Sequence, residues 1–167
     1  MIRIDIPATS ANLGSGFDSL GIALTMCNRV WMEEADELKI TTTDKIKVPT
    51  DETNLIYWAA RHLYQICGKT LPGLHIIQEN NIPMARGLGS SSACIVAGIL
   101  GANRMLGSPM SQSDLINLAA QIEGHPDNTS PAISGGLVAS AMEGKRVYSV
   151  SVPVSGKISF AVMILSL

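Results

Sequence analysis

The stretch Ile82-Pro-Met-Ala-Arg-Gly-Leu-Gly-Ser-Ser-Ser-Ala93 decides how the rest of the chain is read. It lies between a short apolar segment, Leu74–Glu79, and a run of small apolar residues, Ala93–Ala102. That order predicts a strand, a glycine-serine loop and a buried helix running to about Leu106. Gly87 and Gly89 permit positive φ and leave no Cβ between the backbone amides and a ligand. The first amides of a helix have no intrahelical partner, and the helix dipole favours an anion there. Ser90, Ser91 and Ser92 add hydroxyls for phosphate oxygens or a magnesium ion. The loop is therefore a candidate phosphate cradle. A serine-capped turn and a nucleophile at Ser91 are the alternatives. The named motifs fail: no lysine follows the glycines as a Walker loop requires, Ser92 replaces the third glycine of a dinucleotide fingerprint, and Ala93 replaces the second glycine of a nucleophile elbow.

Upstream, Ile2, Ile4 and Ile6 predict a strand that Pro7 ends, followed by a Gly/Ser/Asn-rich loop over 8–21. Strands are expected at Arg29–Glu33 and Leu38–Thr43. A helix is expected at Thr53–Cys67, with Leu55, Ala59, Leu63 and Ile66 on one face and Gly68 past its end. Downstream, Ser111 and Asp114 form a capping-box pair, and Met110 and Leu115 are placed as a hydrophobic staple. The helix they open carries Leu115, Leu118, Ala119 and Ile122 inward. Strands are then expected near Leu137–Ala141, Arg146–Val152 and Ile158–Leu165. The order predicts an α+β fold, with helices on one face of a mostly antiparallel sheet.

Of the 167 residues, 46% are hydrophobic and 16% charged, which excludes intrinsic disorder. A chain near this size hides roughly 70% of its unfolded surface, enough for a real core. The net charge of −2 argues against a nucleic-acid partner. Cys27, Cys67 and Cys94 are odd in number and widely spaced, which suits neither a disulfide framework nor a zinc site. Met1-Ile-Arg-Ile-Asp-Ile6 has no signal core, and the ten residues Ala93–Ala102 are about half a membrane span. A cytoplasmic protein without a membrane partner is the expectation.

A second cluster, Glu123-Gly-His-Pro-Asp-Asn128, puts two carboxylates, an imidazole and an amide into six residues stiffened by Pro126. It could hold a cation, orient a hydroxyl or bind the charged ends of an amino acid. It could equally be a loop in which Asp127 or Asn128 caps the next helix. Asn12 and Asp18 in the first loop could bind a ligand or hydrogen-bond their own turn.

Three segments together resemble the GHMP kinase superfamily, and within it the homoserine kinases. They are Pro7-Ala-Thr-Ser-Ala-Asn-Leu-Gly-Ser-Gly-Phe-Asp-Ser-Leu-Gly21, Pro83–Ala93 and Glu123–Asn128, with Pro131 and Gly135-Gly136 after them. The resemblance implies ATP-dependent phosphorylation of the L-homoserine hydroxyl on the route to threonine. It also implies an N-terminal domain like domain 2 of ribosomal protein S5. Pro83, Met84, Ala85, Arg86, Gly87, Leu88, Gly89, Ser90, Ser91, Ser92 and Ala93 would wrap the nucleotide phosphates. Ser91 and Glu123 would hold Mg²⁺, Asn54 would approach the adenine, and Asn12, Asp18, His125 and Asn128 would face homoserine. Many sibling kinases place an aspartate base where this chain has Asn128. Catalysis by positioning is therefore expected, with Asn128 orienting the hydroxyl and Asp127 as the alternative base. A domain over 1–152 and the start of a second over 153–167 are expected, with a homodimer left open. The end reads as a truncation, because the family usually continues with a C-terminal part. The main alternative is another GHMP kinase acting on a different small alcohol. A non-catalytic nucleotide-binding fragment and, from a different class, a serine hydrolase built from Ser91, Asp114 and His125 are the others.

Overall fold

The structure is a computed structural model and describes residues 1–163. Ten elements follow in the order β1 (Ile2–Asn12), β2 (Gly16–Glu34), β3 (Lys39–Thr42), α1 (Leu55–Ile66), β4 (Leu74–Glu79), α2 (Ser90–Met105), α3 (Gln112–Glu123), α4 (Thr129–Ser134), β5 (Leu137–Glu143) and β6 (Arg146–Val152). The strands form one sheet in which the 19-residue β2 is central. β1 pairs along one side of β2. On its other side β4 pairs with Arg29–Glu34 and β5 with Leu20–Ile22. Only β3, beside β4, is parallel to its neighbour. The α+β reading holds.

Alternation builds the core. Ile4, Ile6 and Ala8 of β1, Val30 and Met32 of β2 and Leu74 and Ile76 of β4 turn inward. They meet Ile56, Ala59, Ala60 and Leu63 of α1, and Val96, Ile99 and Ala102 of the nearly all-buried α2. Burial of this apolar surface is the main stabilising term. The predicted ends also hold: Ser111 and Asp114 form the capping box of α3, and Gly68 takes φ +66° past α1. Among the described residues no helix is long and apolar enough to cross a membrane.

Four expectations fail. Of the face expected for α1, Ala59 and Leu63 are buried but Leu55 and Ile66 are exposed, and Ile56, Ala60 and Tyr64 complete the buried stripe. Pro7 does not end the first strand, because β1 is an edge strand and Pro7 sits beside a register shift, where a missing N–H costs little. The 8–21 loop is mostly a β-hairpin. Its turn is short, with Asn12, Leu13 and Gly14 at positive φ and Asp18 of β2 likewise, and polar composition concealed the pairing. The strand at Ile158–Leu165 is not found over Ile158–Met163, an exposed stretch outside the sheet; its last two residues lie outside the described ones. A strand without a hydrogen-bonding neighbour gains nothing from being extended.

Candidate active site

The glycine-serine loop ends on Gly89, the N-cap of α2, at φ +65°. No side chain caps this helix, and the first amide with a helical partner is that of Ala93, which donates to Gly89 O at 2.8 Å. The amides of the first turn are thus free to meet an anion. A Cβ on Gly89 would stand 2.0 Å from Thr9 Oγ1, so only glycine fits. The edge of β1 meets the same loop, where Thr9 N donates to Leu88 O at 3.1 Å.

Thr9 is fully buried, and its hydroxyl donates to Asn128 Oδ1 at 2.7 Å. Asn128 is the N-cap of α4 by position, but its side chain makes no cap bond. It turns instead toward Thr9 and Gly89, so capping does not explain it. Asp127 is 2% exposed and its Oδ1 lies 2.5 Å from His125 Nδ1, while Asn128 Nδ2 donates to the same oxygen at 3.4 Å. The carboxylate fixes the ring of the partly exposed His125. Gly21 of β2 allows this loop to approach: a Cβ there would meet Asp127 O at 1.7 Å. Asn12 and Asp18 sit at the hairpin tip, where Asp18 N donates to Asn12 Oδ1 at 2.9 Å. Asn12 therefore braces its own turn, and Asp18 stays exposed.

On the other side of the α2 N-terminus lies a mostly apolar cavity of about 290 Å³. Val48, Leu55, Met84 and Cys94 wall it, and Ser90 and Ser91 stand at its edge. Burial, and secondarily the charge of Glu123, push the Cys94 thiol up to about 11. Asn54 reaches this wall, but as the α1 N-cap its Oδ1 accepts from the amides of Ile56 and Tyr57 and its Nδ2 donates to Pro49 O. Its capping role, which sequence alone did not distinguish, occupies most of that amide.

Ser91 and Glu123 share a shallower cleft with Trp58 and Ile122. The Ser91 hydroxyl is exposed, so one hydroxyl and one carboxylate face the same space. Such hard oxygen donors fit Mg²⁺, which keeps several of its waters. The third serine departs from expectation. Ser92 is 1% exposed and its hydroxyl donates to Glu123 Oε1 at 2.8 Å, so it orients the carboxylate rather than facing the loop. Leu88 and Ala93 likewise turn their side chains into the core and offer only backbone. Met84, Ala85, Arg86 and Gly87 are exposed, and Pro83 is half-buried. The serine-hydrolase triad is not assembled. Asp114 bonds Ser111 at the start of α3, and His125 follows its far end, about 18 Å away for 12 residues. Sequence reading missed Thr9 and Lys47, the latter lining the apolar cavity. Neither carried a local signal, since both depend on contacts distant in the chain.

Residues 54–136 match the family model described as GHMP kinases N terminal domain, which spans α1 to the end of α4 and contains the whole loop–helix unit. The chain carries a GHMP kinase N-terminal domain. Among curated relatives of this domain, a homoserine kinase of Clostridium botulinum is 44% identical over 166 residues, covering 98% of this chain and 55% of the relative. One of Moorella thermoacetica is 46% identical over 149 residues, covering 88% and 50%. The crystal structure of homoserine kinase from Cytophaga hutchinsonii superposes with a TM-score of 0.79 at 31% identity, covering 92% of this chain and 52% of that one. The chain thus spans about half the length of the curated relatives it matches.

Proposed function

We propose that this GHMP kinase domain belongs to an enzyme that transfers the γ-phosphoryl group of ATP to the side-chain hydroxyl of L-homoserine. One observation carries the reading: the open N-terminus of α2 lies between an apolar cavity and a polar net, so a nucleotide and an acceptor alcohol can meet at one set of free amides. Identity to homoserine kinases over nearly the whole chain supports the choice of acceptor. In this reading the cavity takes the nucleobase, and the loop amides with Ser90 and Ser91 hold phosphate oxygens. Ser91 and Glu123 would hold Mg²⁺, with Ser92 orienting the carboxylate. The ion supplies charge neutralisation on the transferring group. Asn128, fixed by Thr9, orients the acceptor hydroxyl; His125, held by Asp127, and the exposed Asp18 take the polar ends of the amino acid. No strong base is required for a loose phosphoryl transition state, and the pairing of Asp127 with His125 leaves it a positioning role.

The test is ATP consumption by the whole protein with homoserine, mevalonate or shikimate as acceptor. Homoserine-dependent, Mg²⁺-dependent turnover is expected; turnover with another of these alcohols alone would move the enzyme to a sibling kinase. Glu123→Gln is expected to raise the Mg²⁺ needed for half-maximal rate, and an unchanged Mg²⁺ titration would remove Glu123 from the ion.

A further inference from the structure

The apolar cavity contains a polar group that packing does not explain. β4 alternates Leu74, Ile76 and Gln78 toward the interior, and the first two are core residues. An apolar side chain would complete the pattern. Gln78 instead places a carboxamide there, 2% exposed, with its Oε1 buried and without a hydrogen-bond partner among the described residues. A buried acceptor left unpaired is unfavourable, so its retention points to a partner outside the chain.

Three carboxamides line this cavity, and the other two are occupied. Asn54 caps α1 and bonds Pro49. Asn80 donates from both its backbone and its Nδ2 to Asp44 Oδ2, at 2.6 and 3.2 Å. Those bonds use Asn80 only as a donor, but its Oδ1 is not shut away from solvent; Gln78 is the one of the three whose buried oxygen has no partner.

Resting on the ATP reading above, we propose that Gln78 is the specificity-determining residue for the nucleobase, its Oε1 accepting a hydrogen bond from the exocyclic amine of a 6-aminopurine. Oε1 is itself shut off from solvent, so loss of the bond leaves it unpaired again. The cavity then selects by one acceptor, and the loop amides, which touch only phosphate, contribute equally for any base.

The experiment compares two ligands on this chain at fixed Mg²⁺: ATP, and purine riboside triphosphate, which carries hydrogen in place of the 6-amino group. Dissociation constants come from calorimetry. The unmutated chain is expected to prefer ATP by about five- to tenfold, the factor for one buried hydrogen bond. Gln78→Leu is expected to bring the two constants within about twofold of each other, chiefly by weakening ATP, because the analogue has no amine for Gln78 to read. Equal affinities in the unmutated chain, or a preference that survives Gln78→Leu, overturns the proposal while leaving the nucleotide site standing. Binding of neither ligand overturns the nucleotide reading, and this inference with it. If Gln78→Leu does not fold, Gln78→Met, nearer in length and shape, takes its place in the same comparison.

Discussion

On one flank of the α2 N-terminus, Thr9, His125, Asp127 and Asn128 form a connected polar net; on the other, Val48, Leu55, Met84 and Cys94 wall an apolar cavity. Both flanks are anchored on the same helix, yet they reach precision by different means. In the net, each polar group fixes the next, and the loop that carries it is pressed against Gly21 and Gly89 where no Cβ fits. In the cavity, side chains come from the 47–49 segment, α1, β4 and α2, and apolar shape around a single unpaired acceptor takes the place of a connected net. Disturbing the net should therefore misplace groups, whereas disturbing the cavity should change what it admits.

The largest expected effect is on the net. Gly89→Ala adds a Cβ 2.0 Å from Thr9 Oγ1 at a residue already in the left-handed region. The loop must shift, taking the amides and Asn128 with it. Turnover of the whole protein is expected to fall by about 10² or more, the scale of a misplacement near 1 Å. A variant that melts like the unmutated protein and keeps its rate would show that the two flanks tolerate relative movement.

The cavity flank is tested by Cys94. Its thiol sits near 11 against an ordinary 9.0, first through burial and then through Glu123. At pH 8 the thiolate is then about a hundredfold scarcer than in an unfolded chain, and alkylation slows accordingly. Iodoacetamide labelling followed by mass spectrometry, native against urea-unfolded, checks this. Equal rates would mean that the cavity is open and wet, and the contrast between the flanks would fail.

A smaller effect separates positioning from base chemistry within the net. Asp127 is buried against His125, so Asp127→Asn and His125→Ala should lose similar activity, each less than the roughly 10² that removal of a general base costs. The double variant should lose no more than either alone, because one unit has been broken twice. A far greater loss in Asp127→Asn than in His125→Ala would make Asp127 the base.

The same contrast explains what was legible in the sequence. Local rules governed the existence of α1, α3 and β4: apolar residues, the Ser111–Asp114 box and the apolar run 74–79 are all read within a few residues. The buried stripe of α1 is nevertheless turned from the expected one, leaving Leu55 and Ile66 exposed. The loop–helix unit was legible for the same reason, since glycines, serines and a buried helix are contiguous. The net was only half legible. His125, Asp127 and Asn128 stood out as a cluster, but Thr9, 119 residues from Asn128, lay in a segment whose composition imitated a loop. Ser92 was misjudged because the hydroxyls of a first helical turn point around the axis, and sequence does not say which faces Glu123. The cavity was least legible, because the 47–49 segment and Gln78 join it only through the fold.

The smallest expected effect lies on neither flank and serves as their control. Ser111 Oγ accepts from Asp114 N at 3.2 Å, and Asp114 Oδ2 accepts from Ser111 N and Oγ at 3.1 and 2.6 Å. Ser111→Ala removes the cap and should cost about 1 kcal/mol in urea unfolding, with nucleotide affinity unchanged because α3 begins far from the α2 N-terminus. The hydrogen bonds from Ser111 also hold the Asp114 carboxyl below its ordinary 3.8. A lowered carboxyl stabilises the fold above its unfolded value and ceases to do so as pH falls through the folded one. The stability gap between the unmutated chain and Asp114→Asn should therefore be full at neutral pH and close only as pH falls below the ordinary 3.8. A gap that persists in acid would assign the cap to geometry rather than charge, while a change in nucleotide affinity would mean that α3 transmits strain to both flanks through Glu123.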